Sequence, residues 1–205
     1  MKSISRMLVI AIGAVALIAI ILIIVFLGRG PTSPSMISAS SISSAASQTL
    51  GGTWIVNSNE SGVAEINAAN SSASLTYLNG TKTVTSLSGP FQIPYGSATL
   101  NLGYPLTAYV FFLKNPTNNS IVLIAAYKFP NSTVPTDIIS TIQSLSGVAP
   151  SVSSGLSYFT NETYGYMVLV GSNGDFLVVM VGNYTASPQA YAALANRVLS
   201  LVGGP

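Results

Sequence analysis

The 205-residue sequence contains no cysteine and no histidine. Structural zinc, blue copper, haem held by His or Cys, and Cys-ligated iron–sulfur clusters therefore lack their donors. A Ser-His-Asp or Cys-His nucleophile is equally impossible. Disulfides are absent too, which a domain of this size tolerates. Charge is the next scarcity: 6% of residues are charged, against about 25% in ordinary domains. Past residue 30 the cations are Lys82, Lys114, Lys128 and Arg197, and the anions are Glu60, Glu65, Asp137, Glu162 and Asp175. The isoelectric point near 8.9 thus belongs to Lys2, Arg6 and Arg29, and the remainder is slightly acidic. With no basic patch for a phosphate backbone, nucleic acid is excluded as a partner.

The five acids are scattered, and no D-x-D-x-D-G loop exists for calcium. Asp137 falls in the first turn of an expected helix, where the macrodipole favours it. Asp175 belongs to a Ser-Asn-Gly-Asp turn. Glu60 and Glu162 occupy the middle of glycosylation sequons. Glu65 lies in an expected strand beside apolar residues and is the acid least accounted for. A Ser–Lys dyad using Lys82, Lys114 or Lys128 has no S-x-x-K motif behind it. The sequence therefore predicts no catalytic, cofactor or metal residues, and a protein that is not an enzyme.

What is present begins with one long apolar run. Residues 7–27 read MLVIAIGAVALIAIILIIVFL, without a charge. At 1.5 Å per residue this run reaches roughly 30 Å, the thickness of a bilayer's hydrocarbon core. Lys2 and Arg6 before it and Arg29 after it favour a cytoplasmic N-terminus over residues 1–6. A cleaved signal peptide has a shorter core with a small-residue cleavage site close behind; here GRGPTSP follows. The expectation is an uncleaved, single-pass signal-anchor, and either reading exports the rest of the chain.

Seven N-x-S/T sequons lie beyond the run, at Asn59, Asn70, Asn79, Asn118, Asn131, Asn161 and Asn183. The composition gives roughly three or four by chance under that motif, so they are enriched about twofold. N-linked glycans are expected on them. A surface wetted by Ser, Thr and Asn rather than by titratable groups also suits an acidic medium, where carboxylates protonate and stop serving solubility or ion pairs.

Residues 28–50 are rich in Ser and Ala and read as a stalk, flexible or weakly helical. The exported domain is expected over 51–205, with a β-rich part at 51–104. There, 53–56, 63–66 and 97–102 are expected strands, and Asn79-Gly80 between 74–78 and 81–87 predicts a type I′ hairpin. An internal repeat follows at 107–147 and 164–203. Each copy runs strand, turn, strand, sequon, Pro, helix, Gly. Pro135 and Pro188 suit helix starts, and Gly147 and Gly203 suit positions past helix ends. Ile138, Ile139, Ile142 and Leu145 form one apolar stripe, and Ala190, Tyr191, Leu194, Val198 and Leu201 the other. Two ββα units predict an α+β domain: an antiparallel sheet with both helices on one face, which the N-terminal strands extend or cover. Strands 121–126 and 176–181, apolar on both sides, predict a two-sided core.

The charge-poor Ser/Thr/Asn surface, the sequons, the missing Cys and His and the stalk PTSPSMISASSISSAAS together resemble exported surface proteins of thermoacidophilic archaea such as the Sulfolobales. The resemblance is one of style over the full length. It implies an extracytoplasmic domain facing an acidic space at the cell surface, and it supplies no site residue. Ser5-Arg6-Met7 before the apolar run differs from a pilin-type junction. The expected function is non-catalytic: a membrane-anchored extracytoplasmic protein acting by contact, as accessory subunit of a membrane complex or cell-envelope component. The alternatives are a carrier or sensor of an apolar small molecule or lipid, and a surface-filament subunit whose stalk pairs as a strand. The expected partners are the membrane, through residues 7–27, and a protein in the membrane or envelope; no cofactor is expected.

Overall fold

The structure, a computed structural model, describes residues 37–87, 91–95 and 98–203. The expected anchor at 7–27 lies outside them. Among the described residues no helix is long and apolar enough to cross a membrane.

The first element corrects the expected stalk. Helix α1 (Ala39–Leu50) starts at Ser38, whose side chain accepts from the Ser41 N–H, and such a cap satisfies one orphan donor of the first turn. Ile42, Ala45, Ala46 and Leu50 fall at helical spacing on one face and are buried. Small side chains let the helix lie close. Residues 39–50 therefore belong to the folded domain, which does not start at Gly51.

Among the described residues twelve strands follow. They are β1 (Ile55–Val56), β2 (Gly62–Asn67), β3 (Ser72–Tyr77), β4 (Lys82–Ser86), β5 (Phe91–Tyr95), β6 (Ala98–Gly103), β7 (Thr107–Lys114), β8 (Ile121–Lys128), β9 (Ser151–Ser153), β10 (Leu156–Thr163), β11 (Tyr166–Asn173) and β12 (Phe176–Gly182). Helix α2 (Thr133–Ser146) follows β8, and α3 (Pro188–Leu201) follows β12. The main sheet is antiparallel, in the order β4-β3-β2-β7-β8-β12-β11-β10-β9, with β1 also on β7; β5 and β6 form a separate hairpin. The fold is thus α+β as expected, and the N-terminal strands extend the sheet.

The strand-strand-helix units at β7-β8-α2 and β11-β12-α3 are present, with β8 and β12 paired at the centre. Their helices are not on one face. Ile138, Ile139 and Ile142 of α2 pack with Ala108, Val110, Ala125, Tyr127, Leu177 and Val179. The α3 residues Tyr191, Leu194 and Val198 pack with Phe111, Ile124, Val178, Met180 and the α1 residues. These two sets alternate along β7, β8 and β12, as the period of two demands. Because the central strands are apolar on both sides, either face accepts a helix. With α1 sharing the α3 side, α2 covers the opposite one.

Local differences have local causes. In the β3–β4 connection Gly80 donates to the Tyr77 carbonyl and Tyr77 to the Thr81 carbonyl, and of its residues only Gly80 has positive φ. This is a three-residue loop with a left-handed glycine, not the expected type I′ turn. Positive φ at both residues of a two-residue turn occurs instead at Ser154-Gly155 and Tyr164-Gly165. These join β9–β10 and β10–β11; β9 and β10 are strands that the sequence pattern does not single out. Two glycines allow close approach: a Cβ on Gly182 would lie 2.6 Å from the Tyr191 hydroxyl, and one on Gly171 2.9 Å from the Tyr158 Cβ.

Candidate functional site

The strand register sorts the molecule into two ends. One is the Thr107 end, where Thr107 pairs with Lys128 and Lys128 with Phe176. The other is the Lys114 end, where Lys114 pairs with Ile121, and Val122 with Gly182.

Five of the seven sequons map to the Lys114 end. Asn118 is in the β7–β8 loop, and Asn183 directly follows β12. Asn79 is in the β3–β4 loop, and its amide donates to the Asn59 side-chain oxygen at 2.9 Å. Asn161 lies in β10 two residues before its turn, opposite Val168. Only Asn70, after β2, and Asn131, after β8, lie at the Thr107 end. Six of the seven asparagines are exposed and Asn161 is half-buried. The Nδ2 of Asn161 is buried and has no hydrogen-bond partner.

Several of these asparagines also have a folding role. Asn79, Asn118 and Asn131 each accept, through Oδ1, the N–H of the Thr or Ser two residues on. That is an Asx turn, and it uses the same Asn-x-Ser/Thr spacing as the sequon. The Asn183 Oδ1 accepts from the Ile121 N–H at 2.7 Å and ties the end of β12 to β8.

The acids are not gathered into one cluster among the described residues. Glu65 and Asp137 are exposed, so the strand position of Glu65 is accounted for by its outward direction. Asp137 sits past the first turn of α2, not within it. Glu60 accepts from the Asn57 amide at 2.7 Å. Lys128 and Asp175 are 3.9 Å apart and both are partly exposed; the Lys128 ammonium lies 5.5 Å from the Phe176 ring centre. Among the described residues no group of three acids could hold a metal ion. Burial pushes the Tyr191 hydroxyl up to about 12, and the hydroxyl donates to the Tyr184 carbonyl at 2.9 Å. Burial likewise raises Tyr127, and burial with the Glu65 charge raises Tyr109. These are packing tyrosines and not acid–base groups. Trp54 meets Tyr184 edge to face at 5.1 Å, and its indole donates to the Gly51 carbonyl, so it closes the core at the Lys114 end.

One open groove of about 430 Å³ runs between α1 and α3, lined by Ser41, Ser44, Ala45, Gln48, Arg197, Ser200 and Leu201. Arg197 bonds to the Gln48 side chain across it. Leu201, at the end of the α3 stripe, is exposed here and not in the core.

The direction of α1 is set by two bonds. Trp54 N–H donates to the Ser47 hydroxyl and Val56 N–H to the Ser43 hydroxyl. Moving back along the helix therefore follows the chain forward into β1, which runs inward from Lys114. So α1 runs parallel to β7, and its N-terminus points toward the Thr107 end.

No family model matches this chain, and no curated protein matches it. Among solved structures, the extracellular domain of PknH from Mycobacterium tuberculosis is similar at 16% identity, over 83% of this chain and 98% of that one, with a TM-score of 0.38. A likeness that loose transfers no property.

Proposed function

We propose that this chain is a membrane-held, extracytoplasmic, non-catalytic domain that works by contact, as an accessory subunit of a membrane complex or a component of the cell envelope. The observation that supports it most is the placement of α1. A stalk over 28–50 would have a reach of about 80 Å; with α1 packed onto the sheet, the residues between the apolar run and the Ser38 cap span about 40 Å at most. A domain tethered that closely stays beside whatever shares its membrane. The scattered acids and the outward Glu65 fit a surface that contacts rather than reacts.

The alternatives are less favoured. The α1/α3 groove is open at the surface and encloses little, which suits an apolar ligand poorly. Residues 39–50 are helical and packed, so they do not serve as a donated strand for a filament.

The test is a mild-detergent purification of the full chain from its own membranes after crosslinking. The chain is expected to resist extraction by alkaline carbonate, to be cut by protease added outside intact cells, and to carry a stoichiometric partner. A chain found in the soluble fraction, or a lone monomer that crosslinks to nothing, contradicts the proposal.

A further inference from the structure

We propose that the Lys114 end of the sheet is a carbohydrate-bearing cap, modified at Asn59, Asn79, Asn118 and Asn183 and turned away from the bilayer, while Asn161 stays unmodified. The modification rests on the described residues alone. Its orientation rests also on the membrane-held reading above.

The register brings together sequons that are far apart in sequence. Asn59, Asn79, Asn118 and Asn183 come from four different connections, and all four are exposed. Asn70 and Asn131 leave the opposite end with two exposed sequons. Carbohydrate is thus weighted four to two toward the end that α1 points to, and the chain comes in from the other side. A domain suspended from residues 7–27 through a tether of about 40 Å presents its Thr107 end to the bilayer and its glycans outward. This arrangement leaves the flank of α1 and α3, which carries no sequon, open to a neighbour in the membrane.

The chemistry explains why Asn161 differs. In N-glycosylation the side-chain amide nitrogen attacks C1 of a sugar carried on a lipid-linked phosphate. The N–C1 bond forms, the C1–O bond to phosphate breaks, and the phosphate leaves with its electron pair. The displaced amide proton goes to a base of the glycosyltransferase. The attacking nitrogen must therefore reach a donor outside the domain. Nδ2 of Asn161 is buried, on the part of β10 that pairs with β11 and lies past the short pairing with β9, and the folded domain shields it from a donor. In Asn183 the tie to Ile121 uses Oδ1 and leaves Nδ2 for the reaction.

Glycopeptide mapping of the full chain from its native membrane tests the modification. Asn59, Asn79, Asn118 and Asn183 are expected to carry sugar and Asn161 none, and the joint variant N59Q/N79Q/N118Q/N183Q is expected to lose most of the glycan mass. A glycan on Asn161, or four bare sites at the Lys114 end, overturns it. Orientation is read separately. The sequence has no cysteine, so Ala68→Cys at the Thr107 end and Thr117→Cys at the Lys114 end each give one fluorescent label in the reconstituted full chain. A quencher on lipid headgroups is expected to quench residue 68 roughly twofold or more over residue 117, as a tether that short implies. Equal or reversed quenching overturns the orientation. Occupied sites on a chain recovered from the soluble fraction would sink the membrane-held reading while leaving the site selection standing.

Discussion

The two faces of the central sheet are built from matching strand-strand-helix units, and yet they are not alike. On one face α2 packs with Ala108, Val110, Ala125 and Val179. On the other, α3 shares the cover with α1 over Phe111, Ile124, Val178 and Met180. Similar local sequence fixes an element and the side it buries, but not which face of a two-sided sheet it takes. That choice depends on what else competes for the face, here a Ser/Ala helix from the start of the domain.

Substitutions on the two faces sharpen this comparison. Ile42 and Ile138 are both essentially buried, one on each side, and Ile→Ala at such a position costs about 2–5 kcal/mol. Both I42A and I138A are expected to fall in that range by urea unfolding. A negligible loss for I42A alone would mean that α1 only rests on the sheet. Next in size is Gly182→Ala. Its Cβ would meet the Tyr191 hydroxyl and the Val122 side chain, and overpacking of this kind costs about 1–3 kcal/mol. The loss would fall on the α1/α3 face, and an unchanged melt would mean that α3 can shift away.

The pH dependence comes third. Tyr191, on the α1/α3 face, stays protonated in the fold to about 12, chiefly through burial; Tyr127, on the α2 face, is raised as well. In the unfolded chain tyrosine ionises near 10. Above that pH the unfolded state binds fewer protons, so stability is full below about pH 10 and falls as pH rises toward the folded values. Tyr191→Phe is expected to shrink the alkaline loss, at the expense of about 1 kcal/mol at neutral pH for the hydrogen bond to Tyr184. An alkaline limb identical to that of the parent would contradict this. The smallest effect is expected at Asp175→Asn. Its pair with Lys128 is long and partly exposed, so the change should stay within about 1 kcal/mol. A larger loss would mean that the Thr107 end depends on charge.

The periodic parts of the fold are legible in the sequence. The α2 and α3 stripes, the Ser187 side chain that caps α3 by accepting the Ala190 N–H, the Gly147 end and the two-sided strands β8 and β12 follow from spacing and composition. Three things are not. Helix α1 reads as a stalk because Ala and Ser carry little hydrophobic signal, although Ser38 and the spacing of Ile42, Ala45, Ala46 and Leu50 mark a capped amphipathic helix. Strands β9 and β10 are missed because the two-residue turns on either side of β10 are Ser-Gly and Tyr-Gly rather than Asn-Gly. The gathering of sequons at one end follows from strand register, which no local window contains. The separation of Glu65, Asp137 and Asp175, by contrast, agrees with their scattered places in the chain.

Helix α1 belongs to the folded domain, packed on the sheet beside α3. The most direct test of this is thermal unfolding of residues 37–205 beside residues 51–205. With α1 integral, the shorter chain exposes Trp54, Phe111 and Ile124 and loses its cooperative transition or melts far lower. Equal melting temperatures for the two chains would return residues 39–50 to a stalk and contradict the account.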